Sequence, residues 1–149
     1  MKISFLRFWM WLGLLWGGGA FGMASGSQVA EPMPGESVAQ AVDAELKERV
    51  KARWEALIRR DFQTAYQFET PSFREAYSVQ AFGGKFGDRI LWTSAETTEV
   101  KFEGSKAQVT VRVAYKALLP NMPTPIVNGV RYLQETWVQE GRDWFHETR

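Results

Sequence analysis

The chain has 149 residues, enough for one domain, and its aromatic content of 14% favours a packed core over disorder. Its formal net charge is +1 and no basic stripe is interleaved with aromatic residues, so nucleic acid is not an expected partner. With no cysteine and one histidine, the chain cannot form a disulfide or a thiolate metal site, and we expect neither a metal nor another cofactor.

The amino terminus has the pattern of a secretory signal. A short basic start, MKISFLR, precedes an apolar run from Phe8 to Ala24, and Gly22-Met23-Ala24 fits the small-x-small rule for cleavage, with Gly18-Gly19-Ala20 as a second candidate. We therefore predict a signal peptide over residues 1–24 and a periplasmic or secreted protein. Two alternatives stay open: an uncleaved anchor that holds the domain outside the cytoplasm at the inner membrane, and an ordinary buried helix.

A flexible linker over residues 25–38 is predicted to lead into one folded domain, residues 39–149. Pro32 and Pro34 oppose regular structure in the linker. The domain opens with an amphipathic helix, because apolar residues recur every three or four positions: Val42, Leu46, Val50, Trp54 and Leu57. The charged residues between them, Arg53 included, are predicted to form a solvated face with ion pairs four residues apart: Asp43–Lys47, Glu45–Arg49 and Glu55–Arg59.

Two shorter helices are predicted next. Asp61 suits the amino-terminal cap of the first, which stops before Pro71 and buries Phe62, Ala65, Tyr66 and Phe68. The second begins at Ser78 and ends among Gly83, Gly84 and Gly87.

After Asp88 the hydrophobic period changes from helical to strand-like. The segment KAQVTVRVAYKAL alternates, with RILWTSAETTEVKF before it across a turn at Gly104, and its apolar face consists of Ala107, Val109, Val111, Val113 and Tyr115. LPNMPTPIVNG is predicted to be a proline-rich loop, and VRYLQETWVQ and DWFHET are predicted to form the last hairpin. Helices followed by four antiparallel strands predict an α+β protein, with the helices covering one face of a curved sheet.

The stretch RWEALIRRDFQTAYQFETPSFREAYSVQAFGGKFG and the terminal TWVQEGRDWFHE resemble the nuclear transport factor 2-like superfamily, and more narrowly its small secreted bacterial members. The likeness covers about residues 43–149 and rests on Trp54, Leu57, Asp61-Phe62, Ala65-Tyr66, Pro71 to Arg74, Trp137, Gly141 and Trp144. It implies a cystatin-like α+β cone, in which a bent sheet wraps around the long helix, with a pocket at the open end and often a dimer across the sheet. It says little about activity, because the superfamily includes isomerases, dehydratases, transport factors and binding modules.

The last hairpin places the only histidine near a carboxylate. If Glu140-Gly141 is a two-residue turn, Glu135 lies opposite His146, and the pair could act as a general acid or base. A three-residue loop with Gly141 as a bulge would set His146 against Gln134 instead. A cross-strand ion pair or hydrogen bond without catalysis is the simpler interpretation of Glu135 and His146.

Aromatic residues are the candidates for binding a ligand inside the cone: Tyr66, Trp92, Tyr115 and Trp137. In the catalytic hypothesis, Tyr115 or Tyr66 would also donate a hydrogen bond to a developing oxyanion.

The strand VRYLQETWV is apolar on both faces, with Val130, Tyr132 and Val138 on one face and Leu133 and Trp137 on the other. Either a bulge turns the strand over, or the outer face is covered by a second chain, so a homodimer through the sheet is expected.

The apolar interior pattern, the near-neutral surface and the missing catalytic sets favour an exported, non-enzymatic binding module. Its partner would be an unidentified protein or a small apolar ligand in the cone. The alternative is a small lyase or isomerase that uses a histidine–carboxylate pair in the cone.

Overall fold

The computed structural model describes residues 34–119 and 126–148, and it confirms the predicted α+β class. Within these residues four helices come first: α1 (Pro34–Ile58), α2 (Phe62–Tyr66), α3 (Pro71–Ala76) and α4 (Val79–Gly84). Four strands follow: β1 (Ile90–Glu103), β2 (Lys106–Leu118), β3 (Ile126–Glu140) and β4 (Asp143–His146). They form one curved antiparallel sheet in the order β1-β2-β3-β4.

The long helix α1 buries the residues that the apolar spacing predicts. Leu46, Val50, Trp54 and Leu57 are buried, and Val42 packs against the same core.

Helix α1 begins earlier than predicted, at Pro34, so residues 34–38 of the predicted linker are helical. A proline is compatible with the first helical turn, because the amide hydrogens there have no partner within the helix. The rest of the linker and the predicted signal peptide lie outside the described residues. No helix of residues 34–119 and 126–148 is both long enough and apolar enough to cross a membrane.

Two arginines of α1 leave the predicted solvated face and reach towards the end of the chain. Arg49 Nε donates to the Trp144 carbonyl at 2.7 Å. Arg53 is buried. The prediction of a solvated position is wrong for Arg53, because it follows Val50 by three residues and precedes Leu57 by four, and so lies beside the apolar stripe.

Each short helix has a side-chain cap at its amino terminus. Asp61, Thr70 and Ser78 accept hydrogen bonds from the backbone amides of Thr64, Phe73 and Ala81, respectively. The caps at Asp61 and Ser78 confirm the two predicted short helices, and α3, which has Pro71 in its first turn, is a further helix that was not predicted.

Helix α2 ends at Tyr66, well before Pro71, because the backbone that follows it pairs with the last strand. His146 donates its amide hydrogen to the Phe68 carbonyl at 2.7 Å, and Thr70 donates to the His146 carbonyl at 3.2 Å. These bonds fix the segment between α2 and α3 against the end of β4.

Strand β2 occupies the predicted residues and alternates as predicted. Four of its side chains are fully buried on the concave face: Ala107, Val109, Val111 and Val113. Tyr115 continues this face, and its ring lies over Gly129 of β3, where a Cβ atom would clash with the ring. Gly129 therefore makes room for the aromatic side chain.

Strand β3 begins at Ile126, so the last residues of the predicted proline-rich loop belong to the sheet, while its three prolines lie outside the described residues. The ladder between β3 and β2 has no bulge, and the prediction that a bulge explains the mixed strand is therefore wrong. Val130 and Tyr132 lie on the outer face with 48% and 64% of their surfaces exposed, whereas Leu133 and Trp137 pack into the core.

The turn between β3 and β4 is Gly141-Arg142, one residue later than the predicted Glu140-Gly141. Gly141 has φ +67°, and a two-residue hairpin turn requires a positive φ at its first central position. The pairing that results sets Trp137 opposite His146.

Both predicted registers for His146, opposite Glu135 or opposite Gln134, are therefore wrong. The observed pairing differs by two residues from the one that set His146 against Glu135. Because the side chains of a strand alternate with a period of two, such a shift keeps every residue on its face. Glu135, Trp137 and His146 therefore still share the concave face.

Truncating Trp54 tests the buried stripe of α1. Its side chain packs edge-on against Trp92, with the ring centroids 5.6 Å apart. We expect Trp54→Ala to lower the free energy of unfolding by about 3–5 kcal/mol in urea denaturation, because the surrounding core cannot collapse into the cavity. Glu45→Ala, on the exposed side of the helix, is the control and should cost less than about 0.5 kcal/mol. A loss below about 1 kcal/mol for Trp54→Ala would show that this stripe is not the core.

Candidate functional site

A buried group of polar side chains, which we call the ion cluster, lies where α1 meets the carboxyl-terminal strand. Its members come from α1, from the segment between α2 and α3, from β3, and from β4 with the residues after it: Arg53, Glu69, Glu135, Trp137, His146 and Thr148. Glu69 is fully buried, and Arg53 and Glu135 are 4% and 7% exposed. Charged groups are rarely buried to this extent unless they pair with one another.

Arg53 lies between the two carboxylates of the ion cluster. Its Nε and Nη2 donate to Glu69 Oε1 at 3.1 and 2.8 Å, and its Nη1 donates to Glu135 Oε1 at 3.1 Å. The planar guanidinium holds several donors in a rigid fork, which allows one side chain to serve two carboxylates at once. Within the described residues no group of three His, Cys, Asp or Glu side chains could hold a metal ion, and the positive charge between these carboxylates comes from Arg53.

Glu69 is held in its ionised form. Its Oε2 accepts a hydrogen bond from Thr148 Oγ1 at 2.6 Å and lies 3.0 Å from His146 Nδ1. Burial has the largest effect and raises the pKa of Glu69, but the hydrogen bonds with His146 and Thr148 and the positive charge of Arg53 together outweigh it. The pKa of Glu69 therefore falls from the ordinary 4.5 to about 2.

His146 has Glu69, and not Glu135, as its direct carboxylate partner. Its Nδ1 is the atom next to Glu69, while its Nε2 lies 3.9 Å from Glu135 Oε1 and makes no hydrogen bond with a described residue. The imidazole also packs edge to face against Trp137, with the ring centroids 5.7 Å apart, and Trp137 Nε1 donates to Glu135 Oε2 at 3.0 Å. The two predicted catalytic residues are therefore neighbours in one cluster although they are not cross-strand partners.

A polar groove opens to solvent beside the ion cluster. It has a volume of about 370 Å³ and is lined by Gln108, Gln134, Glu135, Thr136, His146, Glu147 and Thr148. The groove lies where the pairing of β4 with β3 ends: the Glu147 amide still donates to the Thr136 carbonyl at 2.8 Å, and the next part of β3 lies at the edge of the sheet. Both predicted catalytic residues line it.

The aromatic residues predicted to bind a ligand lie in three separate places. Trp92 and Tyr115 pack edge to face, with ring centroids 5.9 Å apart, and Tyr115 lies about 20 Å along β2 from the position opposite Glu135. Trp137 belongs to the ion cluster. The Tyr66 hydroxyl donates to backbone carbonyls at the end of α3. Neither tyrosine hydroxyl bonds to the ion cluster, so the predicted oxyanion donors are not in position beside the histidine.

An apolar cleft, which the sequence did not indicate, lies between α1 and the strands β1 and β2. This α1–β1 cleft has a volume of about 290 Å³. Its uncharged lining residues are Val50, Trp54, Ile58, Ala95, Thr97 and Val111, and its charged residues are Lys47, Glu48, Lys51, Glu55 and Glu96. Val50, Trp54 and Val111 belong to the core and are at most 4% exposed, so they form the buried floor of the cleft.

Three members of the ion cluster were not predicted as site residues: Arg53, Glu69 and Thr148. The position of Arg53 beside the apolar stripe was a usable signal, because a charged residue there must be buried with a partner. Glu69 and Thr148 carry no such local signal, since they meet only when the segment before α3 pairs with β4.

Comparison with known proteins supports the fold and nothing finer. No protein-family model matches the chain, and no curated protein matches it. The chain is similar in structure to a SEC-C motif containing protein from Rhodopseudomonas palustris, with a TM-score of 0.52 and 10% identity over 67% of this chain and 73% of that one. It is also similar to a proposed dehydratase of the NTF2-like family from Streptomyces avermitilis, with a TM-score of 0.52 and 14% identity over 72% and 95% of the two chains. At these identities the likeness shows an NTF2-like fold alone.

The pH dependence of stability tests the role of Glu69. Because its pKa is about 2 in the folded protein and 4.5 ordinarily, folding favours the ionised carboxylate. The resulting stabilisation, on the order of 3 kcal/mol, is present above the ordinary pKa and is lost as the pH falls towards 2. We expect Glu69→Gln to be less stable at neutral pH by a similar amount, and to lose less stability between about pH 5 and pH 2 than the natural sequence, in urea unfolding.

Glu75→Gln is the matched control, because it removes an exposed carboxylate from α3. It should follow the natural sequence across the whole pH range. If Glu69→Gln also follows it, the carboxylate of Glu69 is not paired in the folded protein, and the geometry of the ion cluster is wrong.

Proposed function

We propose that this protein is an exported, non-enzymatic binding module that holds a small apolar ligand in the α1–β1 cleft. Export follows from the basic and apolar pattern of residues 1–24. The observation that most supports a ligand is the cleft itself, which has a volume of about 290 Å³ and a floor formed by apolar side chains of the core. Ligand pockets are typically concave and mostly apolar, with a few polar groups at their edges.

The ion cluster supports the non-enzymatic part of the proposal. Each carboxylate oxygen of Glu69 and Glu135 accepts a hydrogen bond from another member of the cluster. With a pKa of about 2, Glu69 is a weak base at neutral pH. These carboxylates are therefore better suited to hold the elements together than to take a proton from a substrate.

A small lyase or isomerase is the second candidate, and one observation favours it. His146 Nδ1 lies 3.0 Å from the buried Glu69, while its ring lines the polar groove together with Glu135. A carboxylate that fixes Nδ1 leaves Nε2 to exchange a proton with a ligand in the groove. This hypothesis places the ligand in the polar groove and not in the α1–β1 cleft, so the place of binding separates the two candidates.

Titration with octan-1-ol followed by NMR tests the proposal. We expect saturable chemical-shift changes at the Trp54 indole N–H and at the backbone amides of Ala95 and Val111, with little change at the His146 ring. The dissociation constant should be on the order of 1 mM or tighter, because each buried methylene contributes about 0.8 kcal/mol and only part of that sum is lost on association. Ala95→Leu fills part of the cleft and should abolish the shifts.

Ala44→Leu is the matched control, since it makes the same substitution on the exposed side of α1. It should bind octan-1-ol like the natural sequence. Shifts centred on His146 and the polar groove would favour the enzymatic candidate, and the absence of saturable shifts anywhere would contradict the binding proposal.

We further propose that the outer face of the sheet is covered by a second copy of the chain. With a bulge ruled out, Val130 and Tyr132 stay exposed on this face beside two further apolar residues, Leu118 and Ile126. The face also carries mainly acidic residues on β1 and basic residues on β2, so two copies related by a twofold axis would offer each other opposite charges.

Sedimentation equilibrium tests whether a second copy of the chain covers this face. The natural sequence should sediment as a dimer, and Tyr132→Glu should sediment as a monomer, because it would bury a carboxylate in the interface. Gln63→Glu, which adds the same charge on α2 away from the sheet, should stay dimeric. A natural sequence that is monomeric at high micromolar concentration would refute the proposal.

A further inference from the structure

We infer that one end of the sheet docks on an anionic lipid surface. This end, which we call the tip, consists of the first residues of β1, the last residues of β2 with Leu119, and the first residues of β3, which the two ladders bring together. The inference goes beyond the proposed function and does not depend on a ligand in the α1–β1 cleft, because it concerns a different surface.

Exposed apolar side chains are concentrated at the tip. Among residues 34–119 and 126–148, eleven large apolar side chains are exposed, and six of them belong to the tip: Ile90, Leu91, Leu118, Leu119, Ile126 and Val127. Single exposed apolar residues are common on protein surfaces, but a contiguous group of them marks a surface that contacts something other than water.

The apolar residues of the tip lie on both faces of the sheet. Leu91, Leu118 and Ile126 lie on the outer face, whereas Ile90 and Val127 lie on the concave face. A second copy that packs on the outer face could cover only the first group. A lipid surface can contact both groups at once, because the end of a sheet enters it with both of its faces.

Basic side chains lie among these apolar residues. Lys116 is opposite Leu91 in the ladder, and the Leu118 amide donates to the Arg89 carbonyl at 2.8 Å. Arg89 and Lys116 are exposed, and neither side chain forms an ion pair or hydrogen bond with a described residue. The tip therefore carries two unpaired positive charges.

The acidic residue next to Arg89 does not cancel these charges. Asp88 is paired with Arg60, whose Nη2 lies 3.3 Å from Asp88 Oδ1. Negative lipid headgroups attract basic side chains that lie close to the membrane, and the interfacial region accepts apolar side chains beside them. Both properties of the tip thus match an anionic lipid surface.

The opposite end of the sheet has no such excess of positive charge. Its two turns, with the residues that flank them, carry Glu103, Glu140 and Asp143 against Lys106 and Arg142. An anionic surface would therefore attract the tip and not the turns, which gives the docked protein a defined orientation.

Co-sedimentation with lipid vesicles tests the docking. The exported protein, with its amino terminus read by sequencing, is mixed at low ionic strength with vesicles of phosphatidylcholine alone or of phosphatidylcholine with an equal amount of phosphatidylglycerol. We expect the mixed vesicles to bind the protein about 10–30-fold more strongly, because Arg89 and Lys116 should each contribute a factor of about five. This preference should fall as salt is added.

Charge variants assign the preference to the tip. The double variant Arg89→Gln, Lys116→Gln should bind the two kinds of vesicle almost equally. Lys101→Gln with Arg142→Gln is the matched control, because it removes two exposed basic residues away from the tip and should keep the full preference. All four residues are exposed, so both double variants are expected to fold.

Apolar variants test the other half of the surface. Ile90→Ser with Val127→Ser should reduce binding to the mixed vesicles by about 5–10-fold, since the apolar area available for burial is smaller. These two residues lie on the concave face, outside the face that we assign to a second copy. Val38→Ser, on an exposed residue at the start of α1, is the control and should bind like the natural sequence.

A fluorescent label separates docking of the tip from membrane binding by residues 1–24. The chain has no cysteine, so Val127→Cys can be labelled at one position with nitrobenzoxadiazole, whose emission moves to shorter wavelength in an apolar environment. We expect this shift when mixed vesicles are added. The same label on Ser105→Cys, in the turn between β1 and β2, should show no shift.

Three outcomes would overturn the inference. The first is the absence of binding, or binding that is equal for both lipids and unchanged in the tip variants. The second is a label at residue 127 that stays in water while the protein sediments with the vesicles. The third is a dimer that dissociates in Ile90→Ser with Val127→Ser, because the tip would then contact a second copy of the chain. None of these outcomes bears on the ligand in the α1–β1 cleft.

Discussion

A buried guanidinium determines how the carboxyl-terminal half of the chain meets its first helix. Arg53 of α1 lies between two carboxylates from segments that are far apart in the sequence. Without the arginine, each of these buried carboxylates would lose its guanidinium partner and keep only its other hydrogen bonds. Glu69 in turn holds the last strand through His146 and Thr148. A partly assembled cluster would leave unpaired charges in the core, so the arrangement favours one packing of α1, β3 and β4 over its alternatives.

The parts of the fold that could be predicted are those with a local and periodic signal. The buried stripe of α1 and the alternation of β2 depend only on spacing along the chain, and both were found from sequence. The side of the sheet on which His146 lies was predictable, although its cross-strand partner was not. A turn that lies one residue later shifts the pairing by two residues, and each side chain then stays on the same face. Glu69 could not be found in this way, since its position depends on a tertiary contact. The α1–β1 cleft could not be predicted either, because its volume depends on how closely a helix and a strand pack.

The buried carboxylates and their partners are compatible with both candidate functions of this NTF2-like fold. A histidine beside a buried carboxylate is an arrangement that enzymes use for proton transfer, and His146 with Glu69 has that geometry. In this chain, however, Arg53 supplies a fixed positive charge between the carboxylates, and no described tyrosine hydroxyl is placed to stabilise a developing negative charge beside the histidine. The carboxylates thus have a structural use that does not require a substrate.

Helix α1 separates these two environments on the concave face of the sheet. Successive residues of a helix point about 100° apart. Arg53 therefore faces β3 and the end of β4, whereas the next residue, Trp54, lines the cleft towards β1. On the sheet, Val109 lies opposite Glu135 and Val111 lines the cleft, so the two environments are only about 7 Å apart along β2. The ion pairs that hold one side of α1 in place therefore also set the width of the cleft on its other side. Arg53 therefore anchors the helix that forms one wall of the cleft, because a displacement of α1 disturbs its bonds to both carboxylates.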